Sequence, residues 1–177
     1  MADEVHADEV SWLDPDQLWA WMYLVAMVEA LPAALDAQLK RDAGINRFEY
    51  MILVGLSDSP DRTMAMSRLA LAASGSLSRL SHAVSRLASR GWVERRAAGT
   101  GRQMDVRLTD TGLARLQEIA PGHVREARRL VVDVLAPDEL AALGRAARTV
   151  LQTVSPGFVA ALDETHAPGA AGDDAPT

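Results

Sequence analysis

The stretch SLSRLSHAVSRLASRGWVERR, residues 76–96, has the pattern of an amphipathic helix that runs directly into a strand. Its apolar residues recur at spacings of three, four and three, so they share one helical face: Leu77, Leu80, Val84 and Leu87. The opposite face contains serine, arginine and histidine. Ser76 is placed to cap this helix and Gly91 to end it. The stretch therefore predicts a helix with a polar, arginine-rich outer surface.

A shorter helix is predicted just before it, over residues 68–73, with Ser67 as its N-cap. Ser74 and Gly75 interrupt the helical pattern between the two. Two helices joined by a short turn form a helix–turn–helix, in which the second helix lies in the major groove of DNA when the motif binds DNA.

A hairpin is predicted after the second helix. The strand-like segments WVERRAA and QMDVRLT, residues 92–98 and 103–109, flank a tip with Gly99, Gly101 and Arg102. A phosphate-binding glycine loop is excluded here, because it requires a strand before it, a helix after it and usually a lysine followed by serine or threonine. The only lysine of the chain is Lys40. The hairpin is therefore predicted to be a wing that presents an arginine.

Long helices flank this region. The first is predicted to begin at Asp14, with a capping box to Gln17, and to end at Gly44. Pro32 predicts a kink or a split near residues 28–31. Its apolar stripe is Leu24, Val28, Leu31, Leu35 and Leu39.

The second helix is predicted to begin at Asn46 with a capping box to Glu49 and to bury Phe48, Ile52 and Leu56. Two more helices follow Thr109, with a disturbance predicted at Pro121 and a fresh start near Pro137. The residues after Ser155 lose the helical period, and we expect them to be disordered, at least beyond about Glu164.

The charge of the chain is divided unevenly. The net charge is −6, but residues 62–109 contain nine arginines and two acidic residues, a net charge of +7, which leaves −13 for the rest. A basic block inside an acidic protein is the electrostatic pattern of a nucleic-acid-binding face. A solvated charged surface is the alternative interpretation.

Several classes of function are disfavoured by composition. The chain of 177 residues has no cysteine, which excludes disulfides and thiolate metal sites. Its histidines, at positions 6, 82, 123 and 166, are scattered without metal-ligand spacing, and no nucleophile-elbow motif occurs. No signal peptide or run of roughly 20 apolar residues is evident. We therefore expect a cytoplasmic protein that is not an enzyme and has no cofactor, metal or membrane partner.

The segments SRLSHAVSRLASRGWV and VRLTDTGLARL, residues 78–93 and 106–116, resemble the recognition helix and the wing-to-helix junction of the MarR (multiple antibiotic resistance regulator) family. The resemblance extends over roughly residues 15–155. It implies a mainly α-helical winged helix–turn–helix with a small β-hairpin wing and long terminal dimerisation helices. It also implies a homodimeric transcriptional regulator of double-stranded DNA with a pseudo-palindromic operator, commonly a repressor released by a small aromatic or anionic molecule.

The resemblance divides the chain into segments. We expect a flexible acidic N-terminus (1–13), a dimerisation helix (14–45), a winged helix–turn–helix (46–112), C-terminal dimerisation helices (113–155) and a disordered tail (156–177). The family's wing tip usually has aspartate two residues before its arginine, and Thr100 stands there in this chain. A threonine holds the Arg102 guanidinium less firmly, so we expect a looser free wing.

DNA-contacting residues are predicted from the exposed face of this region. Arg79 and His82 are expected to contact base edges, and Arg102 to enter a minor groove. Ser76, Ser78 and Ser81 are expected to bind phosphates or cap the helix. Arg86, Arg95 and Arg96 are expected to contact the DNA backbone. For each of these residues, an ordinary surface role is the alternative.

Two further interpretations remain open. The first helix begins with an aromatic and methionine-rich cluster: Trp19, Trp21, Met22, Tyr23 and Met27. These residues are expected to pack a dimer core; alternatively, Trp19 and Tyr23, with Met51, line a cavity for an aromatic effector. The chain as a whole is either a DNA-binding regulator or a winged-helix module that binds protein, although a protein partner does not require the +7 region.

Overall fold

The computed structural model describes residues 10–73, 75–97 and 104–166. In these ranges the helices are α1 (Pro15–Ala43), α2 (Arg47–Ser57), α3 (Met66–Ala72), α4 (Leu77–Ser89), α5 (Asp110–Ala127), α6 (Pro137–Val154) and α7 (Pro156–His166). The strands are β1 (Thr63–Ala65), β2 (Val93–Ala97) and β3 (Met104–Leu108). This order of elements confirms the predicted fold class. The chain forms two compact units, the first ending at Ala34 and the second beginning at Leu35.

Helix α1 has the predicted ends. The Gln17 N–H donates to Asp14 Oδ1 over 2.8 Å, and the Asp14 N–H donates to Gln17 Oε1 over 3.1 Å. At the other end, Gly44 has a left-handed φ of 65°. The split expected near residues 28–31 does not occur, and the helix continues through Pro32. A proline removes only one backbone donor from the hydrogen bonds of this 29-residue helix.

The part of α1 in the first unit is apolar and exposed. Its large exposed hydrophobic residues are Leu18, Trp19, Trp21, Met22, Tyr23, Leu24, Met27 and Val28. By length and composition alone, α1 is apolar enough to cross a membrane, which corrects the expectation that no segment qualifies. Exposed apolar surfaces of this kind occur at protein–protein and membrane interaction sites.

The second unit has its core between α2, α3, α4 and the sheet. As predicted, Phe48, Ile52 and Leu56 of α2 are buried, and Tyr50 and Leu53 of the same helix are buried as well. Asn46 caps the helix, because its side chain accepts a hydrogen bond from the Glu49 N–H over 2.9 Å. The Glu49 carboxylate in turn accepts from the Asn46 N–H over 3.0 Å, which completes the predicted capping box.

Helix α4 packs three of the four predicted residues into this core: Leu80, Val84 and Leu87 are at most 1% exposed. Leu77, the remaining residue of this apolar face, is 57% exposed. Leu77 is the first residue of the helix and lies a turn ahead of Leu80, and Ala83 is buried instead.

The sheet is antiparallel with the strand order β1-β3-β2. Strands β2 and β3 form the predicted hairpin, with Val93 opposite Leu108 and Ala97 opposite Met104. Strand β1 was not predicted, and it pairs Thr63 with Arg107. Three residues are too few for an alternating pattern to be recognised, so β1 is defined only by its pairing with β3.

Two helix details differ from the sequence analysis. Helix α3 begins at Met66 after Ala65, and Ser67 lies inside it rather than at its cap. Helix α5 continues through Pro121, and its irregularity is a π-helical turn at Arg128–Val132. That turn closes with a hydrogen bond from the Asp133 N–H to the Arg128 carbonyl, five residues back, over 2.8 Å.

Residues 156–166 form helix α7, which corrects the disorder expected from residue 156 onward. Helix α7 contacts α3 and α6, and its Val159 is 6% exposed. An ion pair joins Arg148 of α6 to Asp163 of α7 over 2.6 Å and holds the Asp163 pKa below its usual value. The expectations for residues 1–9 and 167–177 lie outside the described residues.

Candidate nucleic-acid interface

The exposed face of α4 begins at its N-cap. Ser76 accepts a hydrogen bond from the Arg79 N–H over 3.2 Å. Ser76 therefore caps the helix, which is one of the two roles predicted for it. Ser78, Arg79 and His82 are exposed. Within the described parts of the chain, the side chains of Ser78 and His82 make no hydrogen bond. These two residues are therefore available to an external partner.

Arg79 stacks on an aromatic ring. Its guanidinium carbon lies 4.2 Å from the centre of the Phe48 ring, and Phe48 is 5% exposed. This cation–π contact holds an exposed arginine against a core residue of α2. The helical period of α2 predicts that Phe48 lies in the core, but it does not predict the contact with Arg79.

Arg95 connects the wing to α4. Its Nη2 donates to the Ser81 carbonyl over 2.9 Å, to Ser81 Oγ over 3.3 Å and to Ser85 Oγ over 2.9 Å. Ser81 is predicted to bind a phosphate or cap the helix, and Arg95 to contact the DNA backbone. The structure brings these two residues together at one junction. This junction fixes β2 against α4.

Arg86 is bound to a buried carboxylate. Its Nε donates to Glu49 Oε1 over 2.6 Å, and Glu49 is 4% exposed whereas the Arg86 side chain is 53% exposed. Glu49 thus has two roles, since its other oxygen completes the α2 capping box. The sequence predicts the contact of Glu49 with Asn46, because the two residues form a capping-box pattern. It does not predict the contact of Glu49 with Arg86, which lies 37 residues away.

Arg96 shares a carboxylate with a neighbouring strand. Its Nη2 lies 2.6 Å from Glu94 Oε1, and Arg107 Nη1 lies 3.2 Å from the same oxygen. The hydrogen bond from Arg107, followed by that from Arg96, lowers the Glu94 pKa below its usual value. Two cations around one exposed carboxylate leave a net positive charge on this face of the wing. The wing tip, with Thr100 and Arg102, lies outside the described residues.

The aromatic pair proposed for an effector is formed within the first unit. The Trp19 and Tyr23 rings stack with their centres 5.8 Å apart, and the two residues are 58% and 69% exposed. Met51 belongs to the second unit, where it packs against the core and is partly buried. The structure therefore joins two of the three residues in one contact.

A cavity of about 210 Å³ lies between the end of α1 and α5, and no pattern in the sequence indicates it. It is lined by Gln38, Asp42, Ala43, Arg115, Glu118, Ile119, Gly122 and Arg125. Gln38 is 2% exposed, donates to Asp42 over 3.0 Å and faces His123 Nδ1 at 3.2 Å. Burial lowers the His123 pKa below its ordinary value, which favours the neutral ring in this contact.

Two solved structures that are similar to this chain are transcriptional regulators of one family. The chain is 39% identical to Sco3205 of Streptomyces coelicolor, a MarR family transcriptional regulator solved in complex with DNA, over 85% of this chain and 94% of that one, with a TM-score of 0.79. It is 33% identical to AbsC, a MarR family regulator from the same organism, over 82% of this chain and 98% of that one, with a TM-score of 0.76.

A more distant structure shares the fold alone. BpsR of Bordetella bronchiseptica, whose DNA binding is regulated by 6-hydroxynicotinic acid, is 17% identical over 75% of this chain and 98% of that one, with a TM-score of 0.65. No protein-family model matches the chain, and no curated protein matches it.

Proposed function

Because the chain belongs to the MarR family of transcriptional regulators, we propose that it is a homodimeric, sequence-specific DNA-binding regulator. The observation that supports this most directly is the outer face of α4, where Arg79 and His82 are exposed beside the basic strands of the wing. Arginine and histidine on the first turns of a recognition helix reach base edges in a major groove. We further propose that the protein acts as a repressor.

The proposed contacts are of three kinds. Arg79 and His82 contact base edges, whereas Ser76, Ser78, Ser81, Arg86, Arg95 and Arg96 contact phosphates or hold those that do. Arg102 of the wing tip contacts a minor groove. Arg86 and Arg95 have partners in the free protein, so their contribution includes positioning α4 and β2.

Two arginine variants test this division. Arg79→Ala is expected to weaken operator binding by about 1–3 kcal/mol and to relax the preference at one base position. Arg96→Ala is expected to weaken all duplexes alike and to reduce the salt dependence by about one unit of slope. The measurement is a titration with selected and random duplexes at several salt concentrations.

A matched control is Arg129→Ala, because Arg129 is an exposed arginine of the π-helical turn that pairs with Glu126 in the same way. It is expected to leave DNA binding unchanged. Equal losses on selected and random duplexes for Arg79→Ala would contradict its role as a base contact. Absence of binding by the unaltered protein, even to random duplex at low salt, would favour the protein-binding module instead.

We propose that the exposed apolar surface of α1, with α5 and α6, is covered by a second copy of the chain. The two recognition helices of the dimer would then lie about 34 Å apart and fit a pseudo-palindromic operator. Sedimentation is expected to give a dimer at micromolar concentration without detergent. A monomer that still binds a half-site tightly would contradict this proposal, and a requirement for lipid would indicate a membrane partner instead.

We propose that a small aromatic, possibly anionic, molecule releases the DNA by binding at the stacked pair of Trp19 and Tyr23. Such a ligand acts only if it binds one spacing of the two recognition helices more tightly than the other. The factor by which the ligand weakens DNA binding is then also the factor by which DNA weakens ligand binding, typically about 5–150-fold. Trp19→Ala removes half of the stacked pair and is expected to blunt release by aromatic carboxylates, whereas operator binding stays intact.

The control for this effect is Trp12→Ala, since Trp12 is 86% exposed and outside the stack. The measurement is an operator titration with and without each compound of an aromatic carboxylate panel. If Trp19→Ala abolishes dimerisation or operator binding outright, the residue belongs to the dimer core. On these proposals the protein acts in the cytoplasm as a regulator without enzymatic activity or a cofactor.

A further inference from the structure

We propose that Phe48 is a positioning residue for sequence recognition, and that its ring fixes the Arg79 guanidinium in the orientation that contacts a base. This inference rests on the proposed DNA-binding function and names a residue that does not itself reach DNA. Its basis is the stack in which the guanidinium carbon of Arg79 lies 4.2 Å from the centre of the Phe48 ring.

The Phe48 ring is held on the protein side. Phe48 is 5% exposed and belongs to the core of the second unit. It lies in the first turn of α2, which the reciprocal hydrogen bonds of Asn46 and Glu49 fix at its start. A buried ring on a capped helix has little freedom to move, so it provides a rigid support for a flexible side chain.

Gly75 provides the space for this ring. A Cβ at position 75 would lie 2.4 Å from Phe48 Cε2 and 2.6 Å from Cζ, distances that no side chain tolerates. The turn between α3 and α4 therefore approaches the ring closely. Any residue other than glycine at position 75 would displace the ring from its place under Arg79.

Arg79 is held at both ends. Its backbone N–H donates to Ser76 Oγ over 3.2 Å, and its guanidinium lies on the ring. An arginine that is ordered before binding loses less conformational entropy when it contacts DNA. The preference for one base is then larger than a freely rotating arginine would give.

An aromatic ring leaves the hydrogen-bond donors of an arginine available, whereas a carboxylate occupies them. A guanidinium has five N–H donors in its plane, and stacking on a ring occupies its face instead of these donors. Among the described residues, the Arg79 guanidinium donates no hydrogen bond. Arg86 and Arg96, by contrast, donate to carboxylates. Arg79 is thus ordered and still able to form the bidentate contact with guanine O6 and N7.

The experiment compares base preferences after selection of the full-length protein on a pool of random-sequence duplexes. Phe48→Leu keeps an apolar core residue and removes the ring. We expect it to reduce discrimination at the base position read by Arg79 by about 3- to 10-fold, with the salt dependence and random-duplex affinity unchanged. Gly75→Ala is expected to change the same position.

Ile52→Val is the matched control, because Ile52 is a fully buried residue of the same helix and its truncation weakens the core while both Phe48 and Arg79 are retained. A double-variant cycle separates positioning from general damage. In an Arg79→Ala background, Phe48→Leu should have no further effect on base preference.

Several results would overturn the inference. Unchanged preference in Phe48→Leu, with altered preference in Arg79→Ala, would show that the stack does not position the arginine. A further change in the Arg79→Ala background, or an equal change in Ile52→Val, would show that Phe48 acts only through the core. Absence of any base preference in the unaltered protein would instead contradict the proposed function itself.

Discussion

Replacing Gly112 by alanine is expected to lower the free energy of unfolding by about 3–4 kcal/mol and to abolish operator binding with it. A Cβ at this position would lie 2.0 Å from the Trp92 carbonyl oxygen and 2.8 Å from Leu108 Cδ1. The carbonyl cannot move away cheaply, because it accepts hydrogen bonds from both the N–H and the Oγ1 of Thr109. Thr109 also caps α5 through the Gly112 N–H, so the variant disturbs the wing and the helix together.

Gly144→Ala is the matched control for this prediction. Gly144 also lies inside a helix, and a Cβ there would meet nothing within 4 Å. Alanine is the better helix former, so this variant is expected to be neutral or to stabilise by up to about 1 kcal/mol. Urea denaturation at one fixed protein concentration measures both variants. A Gly112→Ala protein as stable as Gly144→Ala would show that the junction adapts to a side chain.

The sequence predicts the parts of this fold that depend on neighbouring residues. The capping boxes at Asp14 and Asn46, the cap of α4 at Ser76 and the stop at Gly91 each involve residues at most four apart. The inward residues of α2 and the paired wing strands likewise follow from a local period. The family resemblance adds what no local pattern contains, namely how these elements are arranged.

The sequence does not predict the contacts between distant residues. The partners of Arg79, Arg86 and Arg95 lie 31, 37 and up to 14 residues away, and no spacing rule identifies them. The three arginines are exposed, as predicted. The stack of Arg79 on Phe48 and the ion pair of Arg86 with Glu49 depend on the folded arrangement of the helices and are not predicted by the sequence. Helix α7 is not predicted for a similar reason. Its residues show no apolar period, and its Val159 is buried by packing against other helices.

Glu49→Ala is expected to lower the free energy of unfolding by about 2–4 kcal/mol. The variant removes the acceptor of the Asn46 N–H at a part-buried helix start, and it also removes the partner of the Arg86 guanidinium. The two losses are unequal. The Arg86 side chain is 53% exposed and regains water, whereas the Asn46 N–H loses its partner at the start of α2.

Because the loss at the Asn46 N–H is expected to cost more than the loss at Arg86, the control variants separate the two contacts. Arg86→Ala should cost clearly less than Glu49→Ala, and Glu49→Gln, which keeps an acceptor for the cap, should fall between them. Glu118→Ala removes a carboxylate that is 65% exposed and pairs with Arg115 over 2.6 Å, and its cost should stay below about 1 kcal/mol. Urea denaturation of the four variants tests the order. If Glu49→Ala were no worse than Glu118→Ala, the start of α2 would not depend on its buried carboxylate, and the rigidity ascribed to the turn that contains Phe48 would lose its basis.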